Sequence, residues 1–315
     1  MNTLVTGGAG FIGSHVCEAL LKENNVVCID NFNDYYNPDF KEQNVRYFLK
    51  NKNFKIYRED IINIKKLEAI FRKNKIDKVV HLAARAGVRA SIEHPVLYEQ
   101  TNVLGTMNIL IMAKKFKIKN FIFGSSSSVY GNNKKIPFSE DDNTDNPISP
   151  YAATKKAAEL ACYTYSHLYN IPVACLRLFT VYGPRGRPDM APYKFTDMIY
   201  KGEEIPVFGD GNSERDYTYV SDIADGIMKA LNKEFGFEII NLGNSEPVKL
   251  NRLISSIEKN LGKSAKIKRM PIQPGEVFVT YADTRKAKKL LKWQPKIKIE
   301  DGIKKFTEWY KNERA

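Results

Sequence analysis

Glycines at positions 7, 10 and 13 constrain this chain more than any other feature, because they fall between a short β-branched run and an apolar amphipathic stretch. The segment reads Gly7-Gly8-Ala9-Gly10-Phe11-Ile12-Gly13. A tight turn out of a strand needs a residue without Cβ, and a pyrophosphate needs close approach of the backbone. Such a loop offers a pyrophosphate the unpaired N–H groups and positive dipole end of a helix. The spacing alone is common; its position directly after a first strand and before a helix gives it meaning.

The rest of the chain keeps this rhythm. Residues 4–5, 26–29, 55–57, 79–82 and 121–123 read as strands, separated by helical patterns such as 15–22 and 106–116. This βαβ alternation predicts a parallel sheet with helices on both faces. Residues 173–178 and 237–242 read as a sixth and a seventh strand. Beyond Phe179, glycine, proline and aromatics become frequent, as in Tyr182-Gly183-Pro184-Arg185-Gly186-Arg187-Pro188, which marks a smaller region of binding loops. Residues 1–178 with about 219–243 are therefore expected to form a cofactor domain. Residues 179–218 and 244–315 are expected to form a substrate domain.

Within the first half, strand two ends at Asp30, followed by Asn31. An acid there accepts the adenosine ribose hydroxyls and repels a 2′-phosphate, so NAD is expected over NADP. Asp60 and Ile61, after the third strand, would flank the adenine. Leu82, Ala83 and Ala84, after the fourth, supply small residues against which a dinucleotide can lie.

Composition excludes several alternatives. The chain has 315 residues, 43% hydrophobic, enough for a large core. No apolar run approaches the roughly 20 residues a membrane helix needs. The N-terminus Met-Asn-Thr-Leu-Val-Thr is strand-like and lacks the basic region and cleavage site of a secretory signal, so a cytoplasmic location is expected. Cys17, Cys28, Cys162 and Cys175 lie in apolar segments without CxxC spacing and read as buried thiols in a reducing compartment. The net charge of +13 is scattered, with only doublets such as Lys65-Lys66 and Lys288-Lys289, and no basic stripe interleaves with aromatics. It reads as a solvated surface, part of it available to an anionic ligand, rather than a nucleic-acid site. Nothing in the pattern suggests a metal site.

Chemistry is concentrated in the middle. Tyr151 and Lys155 stand four apart, after Ser149-Pro150, at the start of an alanine-rich helical segment, and so share a helix face. A lysine ammonium near a phenol favours the phenolate, and a nicotinamide cation would add to this. A tyrosine so tuned can act as general base toward a sugar hydroxyl. Tyr130 and Lys134 have the same spacing, but Gly131-Asn132-Asn133 between them is turn-forming, and Tyr130 is expected to pack below the site. Gly124-Ser125-Ser126-Ser127-Ser128 follows the fifth strand, at the end of a parallel sheet where ligands bind. A hydroxyl there, Ser126 first, can hydrogen-bond the reacting oxygen and relay its proton.

The glycine loop, Asp30, Ser125-Ser126, Tyr151-xxx-Lys155 and Arg215-Asp216-Tyr217 together resemble the extended short-chain dehydrogenase/reductases that act on nucleotide sugars. The resemblance covers essentially the whole chain. It implies a Rossmann-type doubly wound parallel sheet holding NAD, and a smaller mixed α/β C-terminal domain for a UDP-sugar. It adds Asn102 and Ser125 to the cofactor set. A homodimer through a four-helix bundle, built from residues 102–116 and 151–169, is also implied.

Within that family the hydroxyl segment discriminates. Nucleotide-sugar 4,6-dehydratases carry an Asp-Glu pair after the catalytic hydroxyl and UDP-glucuronate decarboxylases a Glu, whereas this chain has Ser127 and Ser128. Epimerisation needs only the tyrosine, a hydroxyl, the lysine and NAD. Asn33-Asp34-Tyr35-Tyr36-Asn37-Pro38 and the segment 182–191 look like the UDP-glucuronate 4-epimerase branch. Thr180 stands where UDP-galactose epimerases carry Asn. The implied reaction inverts C4 of UDP-glucuronate through a 4-keto sugar; UDP-glucose 4-epimerisation is the alternative. A sugar carboxylate needs a cationic partner. Arg187 is the first choice and Arg185 the second, with Ser127 or Thr180 assisting and Arg89 nearby. Arg215 and Arg269 match the cations for the UDP pyrophosphate, with Asp216-Tyr217 bracing that loop and Asp222 expected to cap the next helix. Arg85 departs from the Gln of this branch, and Glu276 from its Asp near the UDP.

Overall fold

The computed structural model describes residues 1–271 and 278–315. Its centre is a seven-stranded sheet built from β1 (Asn2–Thr6), β2 (Asn25–Ile29), β3 (Phe54–Tyr57), β4 (Lys78–His81), β5 (Asn120–Ser126), β6 (Val173–Leu178) and a last strand, Phe237–Leu242. The strand order is Phe237–Leu242, β6, β5, β4, β1, β2, β3, and every neighbouring pair runs parallel. Strands covered on both faces read as near-continuous apolar runs, which explains why Val26, Val27, Cys28 and Ile29 are all buried.

Order reverses between β1 and β4. Successive crossovers leave β1 toward β3 on one side and β4 toward Phe237–Leu242 on the other, so a crevice opens at the carboxyl ends of these two strands. One face of the sheet is covered by Phe11–Leu20 and Val220–Leu231, which share a core with Leu176, Ile240 and Trp293. The other is covered by Ile64–Asn74, Gly105–Lys115 and Pro150–Tyr169, through Leu67, Ile109 and Ala158. The fold is the doubly wound Rossmann-type sheet expected from the alternation of patterns. All four cysteines are free and buried. Among the described residues, no helix is long and apolar enough to cross a membrane.

The remaining chain forms a smaller mixed α/β body. Thr180–Tyr182, Glu214–Tyr219, Pro247–Lys249 and Val279–Thr280 make a four-stranded sheet centred on Glu214–Tyr219. Glu204–Phe208 pairs in parallel with Lys266–Met270. Helices Ala191–Lys201, Leu250–Leu261 and Ile299–Glu313 pack on these strands around Ile205, Val207, Leu253 and Ile303.

Two carboxylates fasten this body. Asp216 is fully buried and accepts N–H groups from Asn244 (2.6 Å), Ser245 (3.0 Å) and Ala282 (3.0 Å), with the Thr218 hydroxyl at 3.1 Å. It thus braces two loop segments, at 244–245 and at 282, against its own strand. Asp222 does not cap its helix as expected. Tyr219 is the N-cap residue, and the Asp222 carboxylate instead accepts the N–H groups of Lys296 (3.0 Å) and Ile297 (2.9 Å), because the chain returns across that helix end.

Candidate active site

Most of the residues picked from the sequence line one cleft of about 400 Å³ at the carboxyl edge of the sheet. Its first end is the glycine loop. Gly7 adopts φ +68°, and a Cβ there would lie 2.8 Å from the Ala83 nitrogen. At Gly13 a Cβ would collide with the Gly7 carbonyl oxygen, so this position sets how closely helix meets strand. At Gly10 the only close neighbour of a Cβ would be the Gly7 oxygen at 3.2 Å, which leaves its cleft side open. The helix behind it, Phe11–Leu20, has no side-chain cap and no acid in its first turn, so no side chain among the described residues caps its leading N–H groups. This is a cradle of the size and polarity that a pyrophosphate needs.

Asp30 lies at the end of β2, buried. Its carboxylate accepts the Ala9 N–H (3.2 Å) and the Phe32 N–H (2.9 Å), and pairs with Lys41 at 3.4 Å. Sequence reading missed Lys41, which is carried by the helix Asp39–Val45. Asn31 reaches across to Asp60 (2.7 Å), tying together the loops after β2 and β3 at this end of the cleft. Ile61, Leu82, Ala83 and Ala84 line the cleft between these ends.

Asn102 does not face this cleft. It sits in a π turn, Gln100–Leu104, that interrupts the helical run from Pro95 to Lys115. From there it accepts the Arg85 N–H (2.8 Å) and donates to the Arg85 carbonyl (3.0 Å) and the Thr154 hydroxyl (3.1 Å). It holds the Arg85 loop to the helix that carries Tyr151.

At the centre, Ser149 caps the helix Pro150–Tyr169 by accepting the Ala152 N–H (3.1 Å), which starts Tyr151 and Lys155 on their shared face. Both line the cleft. The Lys155 ammonium donates to the Gly124 carbonyl (2.7 Å), lies 4.9 Å from the Phe123 ring centroid, and is brought by burial to about 8. Burial also pushes the Tyr151 phenol up, opposed by the Ser126 hydroxyl and by the Arg187 charge. In the protein alone, Lys155 is thus turned to the β5 backbone, and the expected depression of the Tyr151 phenol is not seen.

Ser126 ends β5, with its hydroxyl 3.2 Å from both the Ser128 N–H and the Ser128 hydroxyl. Ser125, one residue back on the opposite face of the strand, donates to Glu159 (2.6 Å). Glu159 holds Arg177 in a buried two-pronged pair, 2.9 Å at each contact. Neither Glu159 nor Arg177 was picked from the sequence, although Glu159 continues the Tyr151–Lys155 helix spacing by another four residues. Tyr130 packs beneath, its hydroxyl on Asn241 (2.7 Å) and its ring 4.8 Å from the Arg177 guanidinium.

The far end carries the sugar-side candidates. Ser127, Thr180 and Arg187 line the cleft. Arg185 turns away, to Glu18 at 2.8 Å. Arg187 is gripped by Asp189, and Tyr35 lies against both. Arg89, Arg215 and Arg269 lie outside the cleft lining. Arg89 stacks 5.1 Å from the Phe208 ring, Arg215 donates to the carbonyls of Glu214 and Phe278, and Arg269 to that of Gly209. Phe208, which no motif announced, gives this rim an aromatic face. Glu276 lies outside the described residues.

Comparison with known proteins agrees with this geometry. The family described as GDP-mannose 4,6 dehydratase matches residues 4–306. The chain belongs to this family of extended short-chain dehydrogenase/reductases. It is 48% identical to a UDP-glucuronate 4-epimerase of Thermodesulfobacterium geofontis over 310 residues, 98% of this chain and 95% of that one. The crystal structure of UDP-glucuronic acid 4-epimerase from Bacillus cereus, in complex with UDP-glucuronic acid and NAD, is similar with a TM-score of 0.93. It is 39% identical, with 99% of each chain covered. UDP-glucose 4-epimerase from Thermotoga maritima, with UDP-glucose, follows at 0.92, 33% identical over the whole of both chains.

Proposed function

We propose that this member of the family converts UDP-glucuronate to UDP-galacturonate, by NAD-dependent inversion at C4. The observation that carries the reading is one cleft lined by the glycine loop, Tyr151, Lys155 and Ser126, with the Arg187 guanidinium at its sugar end. In this reading residues 1–178 and about 219–243 hold the cofactor, and 179–218 with 244–315 hold the UDP-sugar. Gly7, Gly10 and Gly13, with the N–H groups of Phe11 and Ile12, hold the NAD pyrophosphate. Asp30 and Asn31 hold the adenosine ribose, and the segment Leu82-Ala83-Ala84 backs the dinucleotide. Arg215 and Arg269, on the rim, meet the UDP phosphates, with Glu276 near the UDP, and Arg89 is a candidate near the sugar.

Tyr151 takes the proton of the sugar 4-hydroxyl and returns it after inversion. Ser126 donates to O4 and relays the proton, and Lys155 holds the nicotinamide ribose. Bound there, NAD would supply a reversible hydride acceptor for C4 and would not be consumed. The cleft must therefore let the 4-keto sugar turn about its link to UDP between the two steps. With UDP-glucuronate that keto sugar is a β-keto acid, prone to lose CO₂. Arg187, assisted by Ser127 or Thr180, would keep the carboxylate bond out of line with the carbonyl. Ser127 and Ser128 stand where dehydration would require an acid–base pair, which disfavours that reaction.

The same reading includes a homodimer. Val96, Leu104, Leu160 and Tyr163 are exposed apolar residues on the helical run from Pro95 to Lys115 and on Pro150–Tyr169, faces that a four-helix bundle would bury. Four free thiols fit a reducing cytoplasm. The deciding experiment incubates the purified protein, without added NAD, with UDP-glucuronate or UDP-glucose, and follows the products by NMR. UDP-galacturonate alone is expected. Conversion of UDP-glucose alone would overturn the substrate, and no conversion of either, even with NAD supplied, would overturn the reaction.

A further inference from the structure

Arg187 does not face the cleft as a bare cation. Asp189 accepts its Nε–H at 2.9 Å and an Nη2–H at 2.5 Å, a side-on fork in which both carboxylate oxygens are used. The Tyr35 hydroxyl lies 3.3 Å from the same carboxylate and 3.5 Å from Nη2, and the Tyr35 ring centroid is 5.3 Å from the guanidinium carbon. The two charged residues are separated in sequence only by Pro188, whose ring fixes φ and stiffens the link.

This arrangement has a directional consequence. A guanidinium has five N–H donors, and the fork engages two of them. The Tyr35 hydroxyl accepts from the outer side of Nη2 at 3.5 Å, so the free edge of the guanidinium is that of Nη1. Arg187 lines the cleft and Asp189 does not, so the free edge serves the ligand while the acid sits behind it. Arg187 and Tyr151 line the same cleft, and the Arg187 charge acts on the Tyr151 phenol. What meets the sugar is a hydrogen-bonding edge whose charge is largely cancelled.

We propose that Asp189 sets the discrimination between a carboxylate-bearing and a neutral sugar, by occupying one edge of Arg187 and offsetting its charge. The inference rests on the reading above that Arg187 faces C6 of a UDP-sugar. A carboxylate gains hydrogen bonds from the free edge but little net Coulombic attraction. A hydroxymethyl group can accept from the same donors. Removing the acid's charge unmasks the cation and sharpens selection for the carboxylate.

The test compares wild type with Asp189→Asn on UDP-glucuronate and UDP-glucose. The UDP moiety is common to both, so its charge cancels from the ratio. The ratio of kcat/KM for UDP-glucuronate over UDP-glucose should rise about fivefold, the scale of a partly exposed charge pair, through a lower KM for UDP-glucuronate. Asp189→Glu should bring it back toward the wild-type value. An unchanged ratio, with both substrates weakened alike, would make Asp189 a mere brace and overturn the proposal. A falling ratio would do the same, since Asp189 would then be needed to aim Arg187. Retained NAD reports folding, and Asp189→Ala, measured alongside, must move the ratio in the same direction. Dissociation constants of the two nucleotides, from calorimetry on the NAD-loaded protein, give the same ratio without turnover. A wild type that binds UDP-glucuronate but does not epimerise it would sink the functional reading while these constants still decide the role of Asp189.

Discussion

The two ends of the cleft are built by different means. At the glycine loop the contact surface is backbone, delivered by one continuous βαβ unit and fixed by how closely a helix packs on a strand. At the sugar end it consists of side chains drawn from segments far apart, Tyr35, Ser127, Thr180 and Arg187. Thr180 is placed by its strand and Ser127 by the turn after β5, whereas Arg187 and Tyr35 are held by Asp189 and by each other. A backbone site cannot be retuned by replacing a side chain, because the replaced atoms do not touch the ligand. A side-chain site can be retuned one residue at a time. One scaffold can thus keep its cofactor chemistry while its substrate changes.

Tyr151 stands at the boundary and should give the largest effect. Tyr151→Phe is expected to lower kcat about 10³-fold, the middle of the range for a lost general base, while the purified protein keeps its NAD. Loss of NAD together with activity would mean that the boundary tyrosine belongs to the backbone site after all. Next comes the loop itself. Gly13→Val pushes a side chain into the Gly7 carbonyl oxygen and toward the Gly8 Cα, so the protein should purify without NAD and lose about 1–3 kcal/mol of stability, as overpacked sites do. Full NAD content in that variant would break the comparison, since it would show that the loop tolerates a shift of the helix.

A third variant sharpens the other end. Arg187→Ala should leave NAD in place and lower kcat/KM for UDP-glucuronate about 10- to 100-fold, as expected when hydrogen bonds to a charged group are lost. It should also release CO₂ and a pentose-bearing nucleotide, visible by NMR. Unaltered product without CO₂ would remove Arg187 from control of the β-keto acid.

The same difference explains what could be read from the sequence. The seven strands of the main sheet, their parallel pairing, the glycine loop and the Tyr151–Lys155 face are local patterns with fixed periods, and these were legible, whereas the short strands of the smaller body were not. The partners that hold them were not. Asp189 engages Arg187 across a single proline, yet Tyr35 joins them from 152 residues away. Lys41 meets Asp30 only because Asp39–Val45 folds back over the glycine loop, and Glu159 meets Arg177 only because the long helix crosses β6. Asp222 looked like a helix cap because a cap is a local pattern. It bonds the backbone at 296 and 297 because the chain returns there, which no local pattern encodes.

The smallest predicted effect tests how firmly the cofactor end is set. His81, at the end of β4, is fully buried between two threonines. Thr106 donates its hydroxyl to the Asn102 carbonyl (2.6 Å), so it can only accept from His81 Nε2, 2.9 Å away. The proton therefore sits on Nε2, and Nδ1 accepts from the Thr6 hydroxyl at 2.6 Å, whose oxygen takes the Ala83 N–H at 3.2 Å. A second proton, on Nδ1, would face a donor. Burial, with the Lys155 charge adding, lowers this imidazole to about 3. Between the ordinary value near 6.5 and about 3, the unfolded chain takes up a proton that the folded chain refuses, so stability must fall as pH drops through that window. His15, lowered to about 4 by burial and by Arg185, contributes in the same direction from the helix behind the loop. Thermal unfolding followed from about pH 7 down to about pH 4 should show a falling Tm in wild type. His81→Gln should flatten that slope while lowering Tm at neutral pH, and His15→Gln should flatten it further. A slope that survives both substitutions would mean that acid sensitivity lies in paired carboxylates such as Glu42, Asp77, Asp142 and Asp189, whose partners hold them below the usual range, and not in the imidazoles of the backbone-built end.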